Sequence, residues 1–328
     1  MNNNEEHTHT DSISERLLGI ERMVHDNQLH DSDIIDLAEI WNKLWADKWL
    51  IIVIGSIFVV SSIFYALSLS DEYESQVLLA PVSSGDAGGG SLSKLAGKFG
   101  GLASLAGINL GDNSDKTSLA LEIIKSRSFV TKFIEDNDLL VPLMAGEKWD
   151  SENNKLIINS ELYSEGVWVR DVSPPKKTIP SGLEAYEKFL ERLSVNKNEE
   201  NGYITISIEF YSPYLAKSWL ELLIKEINDT VRKQDILEAS KTIKYLESKA
   251  DETVINEMKK VFYDLIESQT QTLMLANVRD EYVFKTIDPA YLAEEKSKPK
   301  RAFIVIFAAF LGGLIGIAVS LLRKRNEN

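Results

Sequence analysis

At 328 residues, with 44% hydrophobic and 26% charged residues, the chain is long enough to bury a core and is not disordered in bulk. A net charge of −14 leaves no basic field for nucleic acid, and no cysteine is present to form a disulfide. The four histidines (His7, His9, His25 and His30) all fall in the first 30 residues, so a zinc site or a histidine-based triad is excluded from the remainder.

Residues 1–49 are mostly polar and acidic, with a net charge of −7. Trp41, Trp45 and Trp49 recur at four-residue spacing and so share one helix face. Indoles on one stripe suit a lipid headgroup layer, and an aromatic packing stripe is the alternative. Leu50 to Leu69 is then an uncharged block of 20 residues, and Ala302 to Leu322 is another of 21. About 20 apolar residues carry a helix across a hydrocarbon core of ~30 Å. Both blocks are apolar around their whole circumference and end abruptly in charge, which sets them apart from core helices. A cleavable signal peptide does not fit the first, which lies behind 49 residues and has no small-residue cleavage site after it.

Lys43 and Lys48 precede the first block, Asp71, Glu72 and Glu74 follow it, and Arg323, Lys324 and Arg325 follow the second. This distribution puts both termini in the cytoplasm and residues 70–301 outside it, although Lys296, Lys298, Lys300 and Arg301 run against the rule. The region 70–301 opens with a strand over 72–82. Gly85 to Gly111 then holds nine of the 18 glycines. That stretch has no phosphate-loop terminus and reads as a mobile loop, with helix or subunit packing as the alternative. A helix is expected over 115–137, with Ser114 or Asp115 available as a cap before Leu119, Leu121, Ile124, Phe129 and Phe133. Residues 138–180 are weakly patterned. A helix follows at 181–193 and an alternating strand at 203–210, and Ser212-Pro213 supplies a cap and first-turn proline for the next element.

From Tyr214 to Asp288 there is no glycine or proline. Leu215, Trp219, Leu223, Ile227 and Val231 repeat at i,i+4, and Ile236, Ile243 and Ala250 continue at sevens with Leu246 between them. A helix over 214–249 would be ~54 Å long. Val254, Met258, Val261, Leu265 and Leu273 mark a second helix over 254–280, with the turn at Ser248–Thr253. Stripes this long call for a covering partner, either the return helix or another subunit. Residues 282–288 form a last strand, and Gly312, Gly313 and Gly316 in the second apolar block suit close packing on another helix.

Four segments together carry a family resemblance: IDLAEIWNKLWADKW before the first block, DEYESQVLLAP after it, the long helical region, and FKTIDPAYLAEEKSKPKRAFIVI entering the second block. The chain resembles the chain-length determinant proteins of bacterial polysaccharide assembly, the polysaccharide co-polymerases that set O-antigen length on lipopolysaccharide. The family's proline motif before the second span maps onto Pro289 and Pro299, but the intermediate prolines are missing and Leu292, Ala293 and Lys296 stand in that stretch. With no kinase domain in the sequence, the resemblance is to the lone co-polymerase type.

The resemblance implies a two-pass protein of a bacterial inner membrane. Residues 1–49 would be a cytoplasmic tail, 50–69 and 302–322 transmembrane helices, 70–301 a periplasmic α/β domain, and 323–328 a second cytoplasmic tail. The fold class expected is α+β, a mixed-sheet domain with a long helical extension between two transmembrane helices. The implied partners are other copies of the chain in a homo-oligomer, the O-antigen polymerase, undecaprenyl-linked polysaccharide and the lipid bilayer, with no nucleic acid. No catalytic, cofactor-binding or metal-binding residue is expected, and no enzyme activity. The function implied is control of lipopolysaccharide chain length by a non-catalytic scaffold. The alternative is a membrane-anchored coiled-coil scaffold or polysaccharide export adaptor.

Overall fold

The computed structural model describes residues 44–82 and 113–325. Trp41, Lys43, the four histidines, the glycine-rich stretch 85–111 and the side chains of Ser114, Asp115, Arg323, Lys324 and Arg325 lie outside the described part. The chain divides into two compact units. One holds Met1–Ala66 and Arg301–Asn328, the other Leu67–Lys300.

The first unit is built from the two apolar helices, α1 (Lys48–Ser68) and α8 (Arg301–Arg325). Each is long and apolar enough to cross a membrane, with only 11% of its most apolar window covered by protein. An uncovered apolar surface on this scale separates them from the core helices of a soluble protein.

The second unit contains, in chain order, β1 (Tyr73–Pro81), α2 (Asn113–Lys125), α3 (Arg127–Asp136), α4 (Leu140–Ala145), β2 (Gly146–Asp150), β3 (Lys155–Ile158), β4 (Tyr163–Ser164), β5 (Val167–Trp168), α5 (Gly182–Leu190), β6 (Leu193–Lys197), β7 (Ile204–Phe210), α6 (Pro213–Glu252), α7 (Asn256–Val278) and β8 (Phe284–Asp288). Four strands form a sheet in the order β6-β7-β1-β8. It is α+β, as expected, but not mixed: all three pairings are antiparallel. The β6-β7 pair is a hairpin, and β1 and β8 are run through in opposite senses, as suits one strand that follows the first apolar helix and another that precedes the second.

Alternation sets the buried face. Tyr73, Ser75, Val77 and Leu79 on β1 stand opposite Phe210, Ile208, Ile206 and Ile204 on β7, and all but Tyr73 are buried. A slip of one residue would exchange these for Glu74, Gln76, Thr205 and Glu209, so the register is strongly specified. The first half of α6 covers this face through Ala216, Trp219, Leu220, Leu223, Ile227 and Val231, joined by Ile124, Phe133 and Phe189 from α2, α3 and α5. Burial of each large apolar side chain here contributes about 1.5–3 kcal/mol.

The single helix expected over 115–137 is two. Ser126 leaves helical geometry and its hydroxyl caps α3 by accepting from Phe129 N–H. The helix expected over 181–193 stops at Leu190 and gives way to β6. The weakly patterned stretch holds α4 and the short β2-β3 and β4-β5 hairpins. Residue 212 behaves as read: Ser212 Oγ accepts from Leu215 N–H, Pro213 opens α6, and the helix runs 40 residues. Its second half is covered by α7, with Leu246 and Leu265 buried together among Val261, Phe262 and Ile266. The turn falls at 253–255, later than expected, so Val254 is a turn residue 92% exposed and not part of an inward stripe.

Candidate assembly surfaces

Two glycines of α8 bring it close to α1. A Cβ at Gly312 would stand 2.8 Å from Phe58 Cβ and 3.1 Å from Gly55 Cα, and one at Gly316 3.0 Å from Ile51 Cα. These two glycines and Ser320 repeat every four residues and are buried. Ser320 Oγ donates to Asp47 Oδ2 at 2.8 Å, and at the far end of the pair Arg301 Nε donates to the Ala66 carbonyl at 2.9 Å. The small-residue face read from sequence therefore packs on the first span of the same chain. Gly313 does not share it, since nothing lies within 4 Å of its added Cβ.

In the second unit, the segment that leads to the second span is tied to the start of β1. Glu72 and Lys298 form an isolated antiparallel bridge, in which Glu72 N–H donates to Lys298 O at 2.9 Å and Ser297 N–H to Glu72 O at 2.8 Å. Ser75 Oγ donates to Tyr291 O at 2.7 Å, and Lys296 pairs with Asp71 at 3.4 Å. Lys298 pairs with Glu209, and Arg192 with Glu72. Burial pulls the Arg192 pKa down, but the Glu72 carboxylate and Tyr211 outweigh it and hold the guanidinium charged. Arg192 also lies over the Tyr211 ring at 4.8 Å. The sequence showed Lys296, Lys298 and Lys300 only as charges on the wrong side of a span. Two of them are instead half of this clasp.

A cleft of about 390 Å³ runs between α2 and α6, lined by residues that include Lys116, Leu119, Asp235 and Glu238. Asp235 accepts from Lys116 Nζ at 2.7 Å and from the Tyr282 hydroxyl at 2.6 Å. Burial, reinforced by that carboxylate, raises the Tyr282 pKa and keeps it protonated. Among the described residues, no group of three or more histidine, cysteine, aspartate or glutamate side chains could hold a metal ion.

The hairpin of α6 and α7 exposes a run of large apolar side chains: Leu237, Tyr245, Ile255, Met258, Tyr263 and Met274. Ile243, expected to meet a neighbour or a return helix, is half-buried, and Leu246 is buried against α7. The seam is thus intramolecular, and the exposed apolar side chains lie outside it on the same hairpin. A group of three aromatic rings is separate from that run. Tyr73, Trp149 and Tyr214 meet with centroid separations of 5.4 Å and 5.9 Å.

Two long, largely uncovered apolar helices are consistent with a two-pass membrane topology, and in the α+β unit that lies between them in sequence a 40-residue helix doubles back on a second one. Residues 33–137 match the family model described as chain length determinant protein, Wzz. Residues 255–325 match a second, described as GNVR, the G-rich domain on putative tyrosine kinase. The first match spans α1, β1, α2 and α3, and the second spans α7, β8 and α8, so each contributes one strand of the β1-β8 pair. None of the curated proteins compared with the chain matches it. Among solved structures, a full-length bacterial polysaccharide co-polymerase is similar at 14% identity over 90% of this chain and 99% of its own, with a TM-score of 0.39. A fragment of WzzB, the polysaccharide co-polymerase from Salmonella Typhimurium, is similar at 14% identity over 70% of this chain and 100% of its own, with a TM-score of 0.29.

Proposed function

We propose that this chain regulates the length of a lipopolysaccharide O-antigen as a non-catalytic, oligomeric co-polymerase scaffold. The observation that carries the reading is the match of residues 33–137 to the chain length determinant model, over the segment that contains the first apolar helix and the strand after it. In this reading both termini are cytoplasmic, the unit between the spans lies in the periplasm, and copies of the chain assemble around the growing undecaprenyl-linked glycan beside the O-antigen polymerase. The chain itself makes and breaks no bond. Its part is geometric: the helical hairpins present surfaces on which neighbouring copies meet.

Deleting the gene and resolving the strain's lipopolysaccharide on a gel tests the reading. Loss of a modal length, with polymer still made, is the expected result. An unchanged ladder, or complete loss of polymer, rejects length control, the latter in favour of an export component or an enzyme.

A further inference from the structure

Three aromatic residues far apart in the chain meet at one edge of the second unit. Tyr73 is the first residue of β1, Trp149 stands on β2, and Tyr214 is on the first turn of α6. The Tyr73 and Trp149 rings are edge-on at 85°, and those of Trp149 and Tyr214 are tilted at 56°. Such a group normally closes into a core. Here Tyr214 is 47% exposed, Tyr73 and Trp149 are each partly exposed, and none of the three belongs to the main buried cluster.

The polar atoms around these rings are also uncommitted. The Tyr73 and Tyr214 hydroxyls make no hydrogen bond among the described residues. Trp149 Nε1 donates to Asn154 Oδ1 at 3.1 Å, which leaves the Asn154 amide nitrogen directed away from that bond and without a partner among the described residues. Asn154 holds this place with a φ of 47°, a conformation disfavoured for a residue with a side chain and tolerated best by asparagine. The Asp150 carboxylate fixes the turn by accepting from Glu152 N–H at 3.0 Å and from the Asn153 side-chain amide at 2.8 Å.

Flat apolar rings edged by spare hydroxyl and amide groups match one ligand chemistry well. A pyranose presents a face of C–H groups that packs on an aromatic ring, and a rim of hydroxyls that both donate and accept hydrogen bonds. We propose that Tyr73, Trp149, Tyr214 and Asn154 form a carbohydrate-binding platform that takes sugar units of the glycan. The inference rests on the function proposed above and gives it a contact point. Tyr73 follows Ser68, the last residue of α1, by five positions, a reach of at most about 17 Å for an extended chain. The β2-β3 turn beside the platform, residues 151–154, is exposed and holds only Ser, Glu and two Asn. A turn without an apolar side chain fits a hydrated sugar polymer better than insertion among lipid headgroups.

The test uses the full chain in nanodiscs of phosphatidylethanolamine and phosphatidylglycerol. The probe is polysaccharide released by mild acid from the lipopolysaccharide of the strain that encodes the chain, with dextran as a control. Saturation-transfer difference NMR should show transfer from protein to sugar C–H protons with the first polymer. Tyr214→Ala and Asn154→Gly should each weaken binding about ten-fold, one by removing an exposed ring and the other by removing the amide from a turn that glycine accepts. Tyr203→Ala, an exposed tyrosine at the opposite end of β7, should bind as the parent does. Absence of transfer, or transfer unaltered in both variants, overturns the platform. So does quenching of Trp149 by brominated lipid that added polysaccharide leaves unchanged, which would make the rings a headgroup anchor. The gene-deletion ladder separates the two claims. An altered ladder with no binding defect in either variant rejects the platform alone, and an unaltered ladder rejects the length-control reading whatever the NMR shows.

Discussion

Asn228 sits on the buried side of α6, where its neighbours Ile224, Ile227 and Val231 are apolar, and its side chain is fully employed. Its Oδ1 accepts from the backbone N–H groups of Tyr282, Val283 and Phe284 at 3.1, 2.8 and 3.1 Å, and its amide donates to Ile224 O at 3.1 Å. One side chain thus satisfies the backbone where the chain re-enters the sheet. Asn228→Leu keeps the branching and the number of side-chain heavy atoms but strands three backbone donors, two of them buried, so a loss of about 3 kcal/mol or more is expected, read as a lower urea midpoint. An unchanged midpoint would mean that water serves those donors. Nothing in the sequence marked Asn228, because a partner 54 residues away leaves no local signal. Glu184 is half legible: Ser181 and Glu184 have capping-box spacing and form the box, but the Arg170 guanidinium that also binds Glu184 at 2.6 Å comes from an unpatterned stretch. Chiefly that hydrogen bond holds the Glu184 pKa below its usual 4.5. A lowered carboxylate pKa contributes stability that is present above the unfolded value and lost as pH falls through the folded one. Wild type and Glu184→Gln should therefore differ in thermal midpoint at pH 7 and converge as the medium is acidified below the usual carboxylate range. A gap that persists there would assign the effect to packing.

At the level of elements, what could be read from the chain followed the length and regularity of each pattern. The two spans, β1, β7, β8 and both long helices were legible because each offers either an uninterrupted apolar block, a clean alternation or several turns of a stripe. The elements missed are short. β6 offers only Leu193 and Val195 as inward residues and runs on from a helix without a glycine or proline between them, and β4 and β5 have two residues each. The α2-α3 break depends on one serine that could equally lie inside a helix until its hydroxyl is seen to cap Phe129. Gly312 and Gly316 were legible as a pair by spacing, while Gly313 differs only in the side of the helix it faces. The three glycines therefore make a discriminating set. Gly312→Leu with Gly316→Leu needs space occupied by Phe58, Gly55 and Ile51, and should lower the temperature at which the detergent-solubilised protein aggregates. Gly313→Leu meets nothing and should melt as the parent does. Equal melting of both variants would show that the spans separate freely in detergent.

For the whole molecule, the question is what the long hairpin does with the apolar surface that its own packing leaves open. Leu246 belongs to the interior seam, so charge placed there tests folding and not assembly. The informative positions are Leu237 and Tyr245, eight residues apart on α6 and 57% and 58% exposed. An exposed leucine by itself needs no explanation. A hairpin that exposes these two together with Tyr263 and Met274, on a chain proposed to act as an oligomer, has the composition of an interface in which aromatic residues and methionine are enriched. Changing Leu237 and Tyr245 together to glutamate leaves the sheet core and the Leu246 seam untouched, so the circular dichroism spectrum and thermal midpoint should stay near those of the parent. The mass of the detergent-solubilised complex should fall, because a carboxylate at the centre of an interface is costly to bury without a partner. The lipopolysaccharide ladder of the same strain should lose or shift its modal length. Leu246→Glu is the necessary contrast: it should lower the thermal midpoint first and the complex mass only as a consequence. If the Leu237 and Tyr245 variant keeps both parental mass and parental ladder, copies of this chain meet through some other surface, and the length of the hairpin must be explained without a neighbour beside it.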